Sequence, residues 1–268
     1  MGTRTSHAPG TWSWVELSTT DVHAAKDFYG ALFGWEAEDS EIPETGGVYS
    51  MQRVDGSPAA AITAQPAQQR QAGVPPNWFS YVTVANAHDA AAKAAELGGQ
   101  VHAGPFDVMT AGRMAVIADP AGAMFGIWQA GDSIGAEVVN VPGALTWNDV
   151  ATTDPGGAQA FYSELFGWGF DKADTGPDGP DYWTIVYEVA ANGRNGGLRR
   201  QVEQEVGHVP PHVAPYFGTA AIGESVAKVL EHGGSNLIPV TQVPAGRFAG
   251  VADPQGAAFM LFEGEFDD

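Results

Sequence analysis

Two carboxylates stand 133 residues apart in segments that otherwise read as aromatic strands: Glu16 in WSWVELST and Asp149 in LTWNDVAT. In an extended chain successive side chains alternate between faces. Trp14, Glu16 and Ser18 therefore share one face, and Trp147, Asp149 and Ala151 share the matching one. A carboxyl held among aromatic rings is poorly solvated when charged, so its pKa rises, which suits a general acid or base or the counter-ion of a ligand amine. The same residue also suits a structural role, accepting a hydrogen bond from tyrosine, tryptophan, or Arg113 and Arg247, which each follow a glycine at matching places. Buried carboxylates are usually paired, which favours the structural role. The two arginines are alternatively candidates to clamp a substrate carboxylate.

Other chemistries find less support. The chain has no cysteine, so disulfides, zinc–thiolate sites and cysteine nucleophiles are excluded. There is no Gly-rich phosphate loop, no GxSxG and no HExxH. Of the histidines, His23 and His88 fall on expected helix surfaces, His7 on the N-terminal arm, and His232 at a helix C-terminus, where it complements the dipole. His208 and His212 flank VPP in a connector near the second aromatic strand, a weak basis for a metal site. With 32 acidic against 12 basic residues the net charge is −20, which argues against DNA, RNA or an anionic membrane as partner. Apart from the EGEFDD tail the acidic residues are scattered, as on a well-solvated surface. No apolar run approaches the roughly 20 residues that span a bilayer. The N-terminal MGTRTSHAPGTW lacks the apolar segment of a secretory signal, so a cytoplasmic location is expected.

The elements that must position the carboxylates repeat. WSWVELSTTDVHAAKDFYGALFGW aligns with LTWNDVATTDPGGAQAFYSELFGW, and AGRMAVIADPAGAMFGIWQ with AGRFAGVADPQGAAFMLFE. The chain is therefore read as two homologous units, 11–130 and 145–265, joined by a linker at 131–144. In each unit a strand leads into a helix capped by Asp21 or Asp154, the latter followed by a proline that suits the first helical position. Phe28, Tyr29, Leu32 and Phe33 share one helix face, with Gly34 just past its end. Hairpins are expected around Asp55-Gly56 and Asn192-Gly193, and PAQQRQAGVPP and QVEQEVGHVPP read as connectors. A strand, a helix ending at Gly98 or Gly233, and strands closing through DPxG turns at Asp119 and Asp253 complete each unit. The fold class is α+β: a βαβββ module used four times.

Four such modules in two pairs, the FYxxLFGW helix after the first strand and the GR…DPxG ending resemble the vicinal oxygen chelate superfamily. That superfamily includes glyoxalase I, extradiol dioxygenases and the fosfomycin- and bleomycin-resistance proteins. The resemblance covers almost the whole chain and is greatest to tandem actinobacterial members labelled glyoxalase-like. It implies that each pair of modules curls its sheet into a cup, with metal ligands (His, Glu or Gln) projecting from the first and last strands. Counted from the shared markers, those positions fall on Trp14 and Trp147, near Phe79 and Ala214, and on Gly126 and Met260. None offers an oxygen or imidazole ligand, so no metal and no other cofactor is expected.

The same alternation places Tyr81, Met124 and Trp128 with Trp14 and Glu16 in the first cup. It places Tyr216, Met260 and Phe262 with Trp147 and Asp149 in the second. Each cup would be an aromatic, methionine-bearing pocket with one carboxylate, suited to an aromatic or amphipathic molecule. The expected function is metal-independent binding of a small molecule, by a monomer or homodimer. The alternatives are a cofactor-independent lyase, isomerase or tailoring enzyme of natural-product metabolism using Glu16 or Asp149 as acid/base, or a structural protein whose cups are filled by their own side chains.

Overall fold

The computed structural model describes residues 2–42, 46–176 and 179–266; the last two residues of the acidic tail, Asp267 and Asp268, lie outside them. The first module runs β1 (Trp12–Thr19), α1 (Val22–Phe33), β2 (Glu36–Ile42), β3 (Gly47–Val54) and β4 (Ser57–Ala64). A short helix, α2 (Ala67–Gln71), forms within the segment read as a plain connector. The second module is β5 (Asn77–Thr83), α3 (Ala87–Glu96), β6 (Gln100–Val108), β7 (Gly112–Ala118) and β8 (Met124–Ala130). The second half repeats the order: β9 (Leu145–Thr152), α4 (Pro155–Phe166), β10 (Gly169–Lys172), β11 (Tyr182–Val186) and β12 (Arg194–Arg200). Its last module is β13 (His212–Gly218), α5 (Ile222–Glu231), β14 (Ser235–Val243), β15 (Gly246–Ala252) and β16 (Ala258–Gly264).

Each half builds one mixed eight-stranded sheet, in the orders β2-β3-β4-β1-β5-β8-β7-β6 and β10-β11-β12-β9-β13-β16-β15-β14. The carboxylate-bearing strands β1 and β9 are therefore central, each antiparallel to one neighbour (β5, β13) and parallel to the other (β4, β12). The helix starts are set locally, since Asp21 accepts from Ala24 N at 3.0 Å and Asp154 from Gly157 N at 3.1 Å. Asp55 and Gly56, both at positive φ, close a two-residue turn between β3 and β4. The hairpin expected around Asn192-Gly193 is wider. β11 stops at Val186, and a loop containing that left-handed pair precedes β12.

The helices do not cover their own sheets alone. α1 packs on α5 and α3 on α4, so each of the two large cores draws side chains from both halves. The FYxxLFGW residues make this joint. Tyr29 donates to Asp253 Oδ2 and Tyr162 to Asp119 Oδ2, both at 3.2 Å, so each half's helix is tied to the DPxG turn of the other. In those turns the other carboxylate oxygen accepts two backbone N–H groups, from Ala121 and Ala123 or from Gln255 and Ala257. Trp35 Nε1 donates to Gly143 O and Trp168 Nε1 to Gly10 O, at 2.7 and 2.8 Å. Each motif thereby also holds the chain just before the first strand of the opposite half. Tyr29 and Tyr162 are fully buried and stack on Trp35 and Trp168.

Tyr162→Phe leaves the buried Asp119 short of a donor and is expected to cost about 1–2 kcal/mol. Tyr29→Phe is expected to cost more, about 2–3 kcal/mol, because Trp78 Nε1, which donates to the Tyr29 hydroxyl at 3.0 Å, loses its acceptor as well. Urea unfolding of both variants and of the double variant checks the order, and the two losses should add because the sites share no partner.

Candidate functional site

The concave faces are built by strand alternation. In the first cup Trp14 and Glu16 from β1 meet Tyr49 and Met51 from β3, Phe79 and Tyr81 from β5, Met114 from β7 and Trp128 from β8. Ala136 and Val139 of the linker pack into the same cluster and close part of the rim. The linker is held there by backbone bonds from Ala136 N to Ser13 O and from Glu137 N to Pro58 O, both 2.8 Å. The bottom carboxylate has few partners: Thr63 Oγ1 donates to Glu16 Oε1 at 3.3 Å, and the Tyr49 hydroxyl bonds to it. Burial dominates these bonds and pushes Glu16 up to about 7.

The second cup treats its carboxylate differently. Asp149 is 2% exposed. Its Oδ1 accepts from Trp147 Nε1 at 3.0 Å and from the Tyr182 hydroxyl at 2.9 Å, while Oδ2 accepts from the Tyr216 hydroxyl at 2.6 Å. Burial raises the Asp149 pKa, against the pull of these donors and of the nearby Arg199 charge. The arrangement depends on Gly197 of β12, which lies opposite Asp149 in register. A Cβ there would fall 2.0 Å from the Tyr182 hydroxyl and 2.2 Å from Asp149 Oδ1. Beside this network Arg199 makes a two-pronged ion pair with Glu205 of the connector, at 2.6 and 2.8 Å. His212 directs Nδ1 at Pro210 O at 2.9 Å, and burial lowers its pKa. Trp147, Tyr216, Phe248, Met260 and Phe262 remain half-buried around the network.

The residues singled out in the sequence separate into two groups. Trp14, Glu16, Tyr81 and Trp128 come together in the first cup, and Trp147, Asp149 and Tyr216 are hydrogen-bonded in the second. Met260 lies opposite Tyr216 in register, Phe262 opposite Gly218, and Met124 begins β8 opposite Ala118. Arg113 and Arg247 are not across the cups from the carboxylates. Their neighbours Met114 and Phe248 face the cups, so the arginines point to the opposite, helix-bearing faces. There Arg113 pairs with Asp107 and Arg247 with Glu263, whose other oxygen accepts from the first N–H of α5. Sequence reasoning missed Tyr49, Tyr182, Arg199 and Glu205. Tyr49 and Tyr182 carry a usable signal, since they stand 133 residues apart like the carboxylates they bond.

The residues present do not fit a metal of the kind this fold family uses. The Tyr81 ring lies over Gly126, where an added Cβ would come 2.2 Å from its Cδ1, and indole, phenyl, methyl and thioether groups, none of them an oxygen or imidazole donor, hold the other expected ligand positions. Among the described residues no three histidines or carboxylates stand close enough to share an ion.

Paired βαβββ modules with a cup on each sheet define a tandem vicinal-oxygen-chelate architecture. Residues 11–127 match the family described as the Glyoxalase/Bleomycin resistance protein/Dioxygenase superfamily. CFP32 of Mycobacterium tuberculosis, whose name assigns it provisionally to the glyoxylases, is 38% identical over 264 residues, 98% of either chain. The anthracycline biosynthesis protein DnrV of Streptomyces peucetius is 35% identical over 271 residues, covering 97% of this chain and 95% of its own. The Mn(II)-bound glyoxalase of Novosphingobium aromaticivorans superposes with a TM-score of 0.65 at 11% identity, over 97% of this chain and 83% of its own. The chain belongs to the glyoxalase/bleomycin-resistance/dioxygenase superfamily.

The raised Glu16 gives a signed pH dependence. Between its ordinary 4.5 and about 7 the folded chain keeps a proton that the unfolded chain has released, so Glu16 makes stability fall as pH rises through that window. Glu16→Gln removes this contribution. The variant is expected to match the parent below pH 4 and to exceed it by roughly 3 kcal/mol at pH 8 in urea unfolding. An equal difference at both pH values would show that Glu16 does not titrate in this way.

Proposed function

We propose that the protein binds a small aromatic or amphipathic molecule in its cups without a metal ion. The observation that carries this reading is the substitution of the whole expected ligand set by apolar and aromatic side chains, around a carboxylate already bonded to protein hydroxyl or indole groups. Half-buried rings at the cup walls supply contact area at low entropic cost, and the bottom carboxylate orients a polar substituent. The relationship to DnrV, named for anthracycline biosynthesis, fits a ligand drawn from natural-product metabolism. The −20 charge fits a partner that is neither nucleic acid nor anionic membrane. We further place the protein in the cytoplasm, as a monomer or homodimer.

A second reading has one observation in its favour. Glu16, raised to about 7 and sparsely bonded, is poised as a general acid or base, so the first cup would suit a cofactor-independent lyase, isomerase or tailoring enzyme. Asp149, with both oxygens occupied by three donors, is the poorer candidate. In that case Glu16→Gln abolishes turnover while leaving ligand affinity within a few-fold.

Two measurements test the binding reading. Elemental analysis after dialysis should find fewer than about one divalent ion per ten chains, and stoichiometric retained metal would overturn it. Titration with 2-naphthol, followed by tryptophan emission, should saturate and be unaffected by chelator. Trp147→Ala is expected to weaken the part of the binding due to the second cup about tenfold.

A further inference from the structure

The two cups differ in one charged feature that the duplication does not explain. Each half has a connector pinned by the same device: Gln65 Nε2 donates to Val74 O and Pro75 O, and Gln201 Nε2 to Val209 O and Pro210 O. Counting from these shared glutamines, Thr63 and Gln69 of the first half correspond to Arg199 and Glu205 of the second. Arg199 lies on the cup side of β12, two residues from Gly197 and opposite Tyr182 and Ala151 in register. Its side chain is 19% exposed and that of Glu205 is 22% exposed, so the pair sits at the boundary between cup and solvent. Asp149 takes its three hydrogen bonds from Trp147, Tyr182 and Tyr216, and the Arg199 guanidinium directs its N–H groups to Glu205 instead. The planar fork of Arg199 is therefore matched to one external carboxylate, and a residue of the connector supplies it.

We propose that Arg199 is the recognition residue of the second cup for an aromatic carboxylate, and that Glu205 occupies the ligand carboxylate's place until such a ligand displaces it. The assignment rests on the cup-binding reading above and adds the ligand's chemical class. Exchanging one carboxylate for another on Arg199 is nearly balanced electrostatically. The net gain then comes from burying the ligand ring against Trp147, Tyr216, Phe248 and Met260. Glu205 sits on a connector held by backbone bonds from Glu205 N to Val202 O and from His208 N and Val209 N to Glu205 O, and its Oε2 also accepts from Val202 N at 3.0 Å, a bond that the displacement exchanges for solvent. Its release re-poses a short surface segment and leaves the sheet intact. The first cup, with Thr63 at this place, has no such preference.

The experiment compares 2-naphthoate with 2-naphthol, which share a ring system and differ in the anionic group, by calorimetric titration of the full chain at pH 7.5. Naphthoate is expected to bind at least about tenfold more tightly than naphthol. Arg199→Gln should remove that preference while leaving naphthol affinity within about twofold. Glu205→Gln, which removes the internal competitor, should tighten naphthoate binding several-fold. The double variant Arg199→Gln/Glu205→Gln leaves no unpaired charge and should behave like Arg199→Gln, which guards against loss of binding through misfolding. Naphthol binding without a naphthoate preference, or weaker naphthoate binding in Glu205→Gln, overturns the Arg199 assignment alone. Binding of neither compound overturns the cup-binding reading and this assignment together.

Discussion

The reciprocal contact of each half's FYxxLFGW helix with the other half's DPxG turn is the constraint on which the molecule depends. A tyrosine hydroxyl reaches the turn aspartate, and a tryptophan N–H reaches the chain before the opposite first strand. A DPxG aspartate could satisfy its turn alone, since one oxygen already takes two backbone N–H groups. The second oxygen is what makes the turn a docking point. Because both cores draw on both halves, the helices cover the outer faces of the sheets, while the concave face of the first sheet packs its own aromatic cluster against the linker. The joint is not perfectly symmetric. Gln255 of the second turn accepts from Thr19, Thr20 and Asp21 and donates back to Asp21 O, whereas alanine fills the matching position in the first turn.

Within that frame the two cups have diverged by small steps with large electrostatic effect. Glutamate in the first cup reaches Thr63 and Tyr49 and stays lightly bonded. Aspartate in the second is one methylene shorter and meets three donors, made possible by a glycine on the neighbouring strand. A carboxylate bonded by three neutral donors is held in one geometry, whereas for a sparsely bonded one burial outweighs the bonds and raises the pKa further. The same fold thus holds one carboxylate fixed by three donors and one that burial leaves sparsely bonded with a raised pKa.

Local signals in the sequence were sufficient for much of this. Asp21 and Asp154 cap their helices through bonds spanning three residues, and alternation along β1 and β9 brought Trp14 together with Glu16 and Trp147 together with Asp149. What failed or stayed hidden depends on distant partners or on strand parity. Tyr29 and Asp253 are 224 residues apart, and no local pattern announces that a buried tyrosine has chosen a turn in the other half. Arg113 and Arg247 were assigned to the cups because they recur beside a glycine. Their strands turn the next residue inward instead, and a slip of one position reverses the face. Arg199 and Glu205 carry no repeat signal, since Thr63 and Gln69 stand at the matching places of the first half.

The crossing of the cores also bears on how the chain is made. The core shared by α3 and α4 joins modules adjacent in the chain and takes only Val213 from the last module, so most of it can assemble while the rest is still being synthesised. The core shared by α1 and α5 sets Phe28 and Tyr29 against Phe259 and Leu261, so the first helix must wait for nearly the last strand. Until the ribosome has delivered β16, the aromatic face of α1 is covered only by residues of its own half, such as Leu17, Ile62 and Trp78. Such delayed long-range closure slows folding and exposes apolar surface to aggregation and chaperones. Tandem duplication has thus made each half supply part of the other's core, and neither half alone would bury all of its helices' apolar side chains.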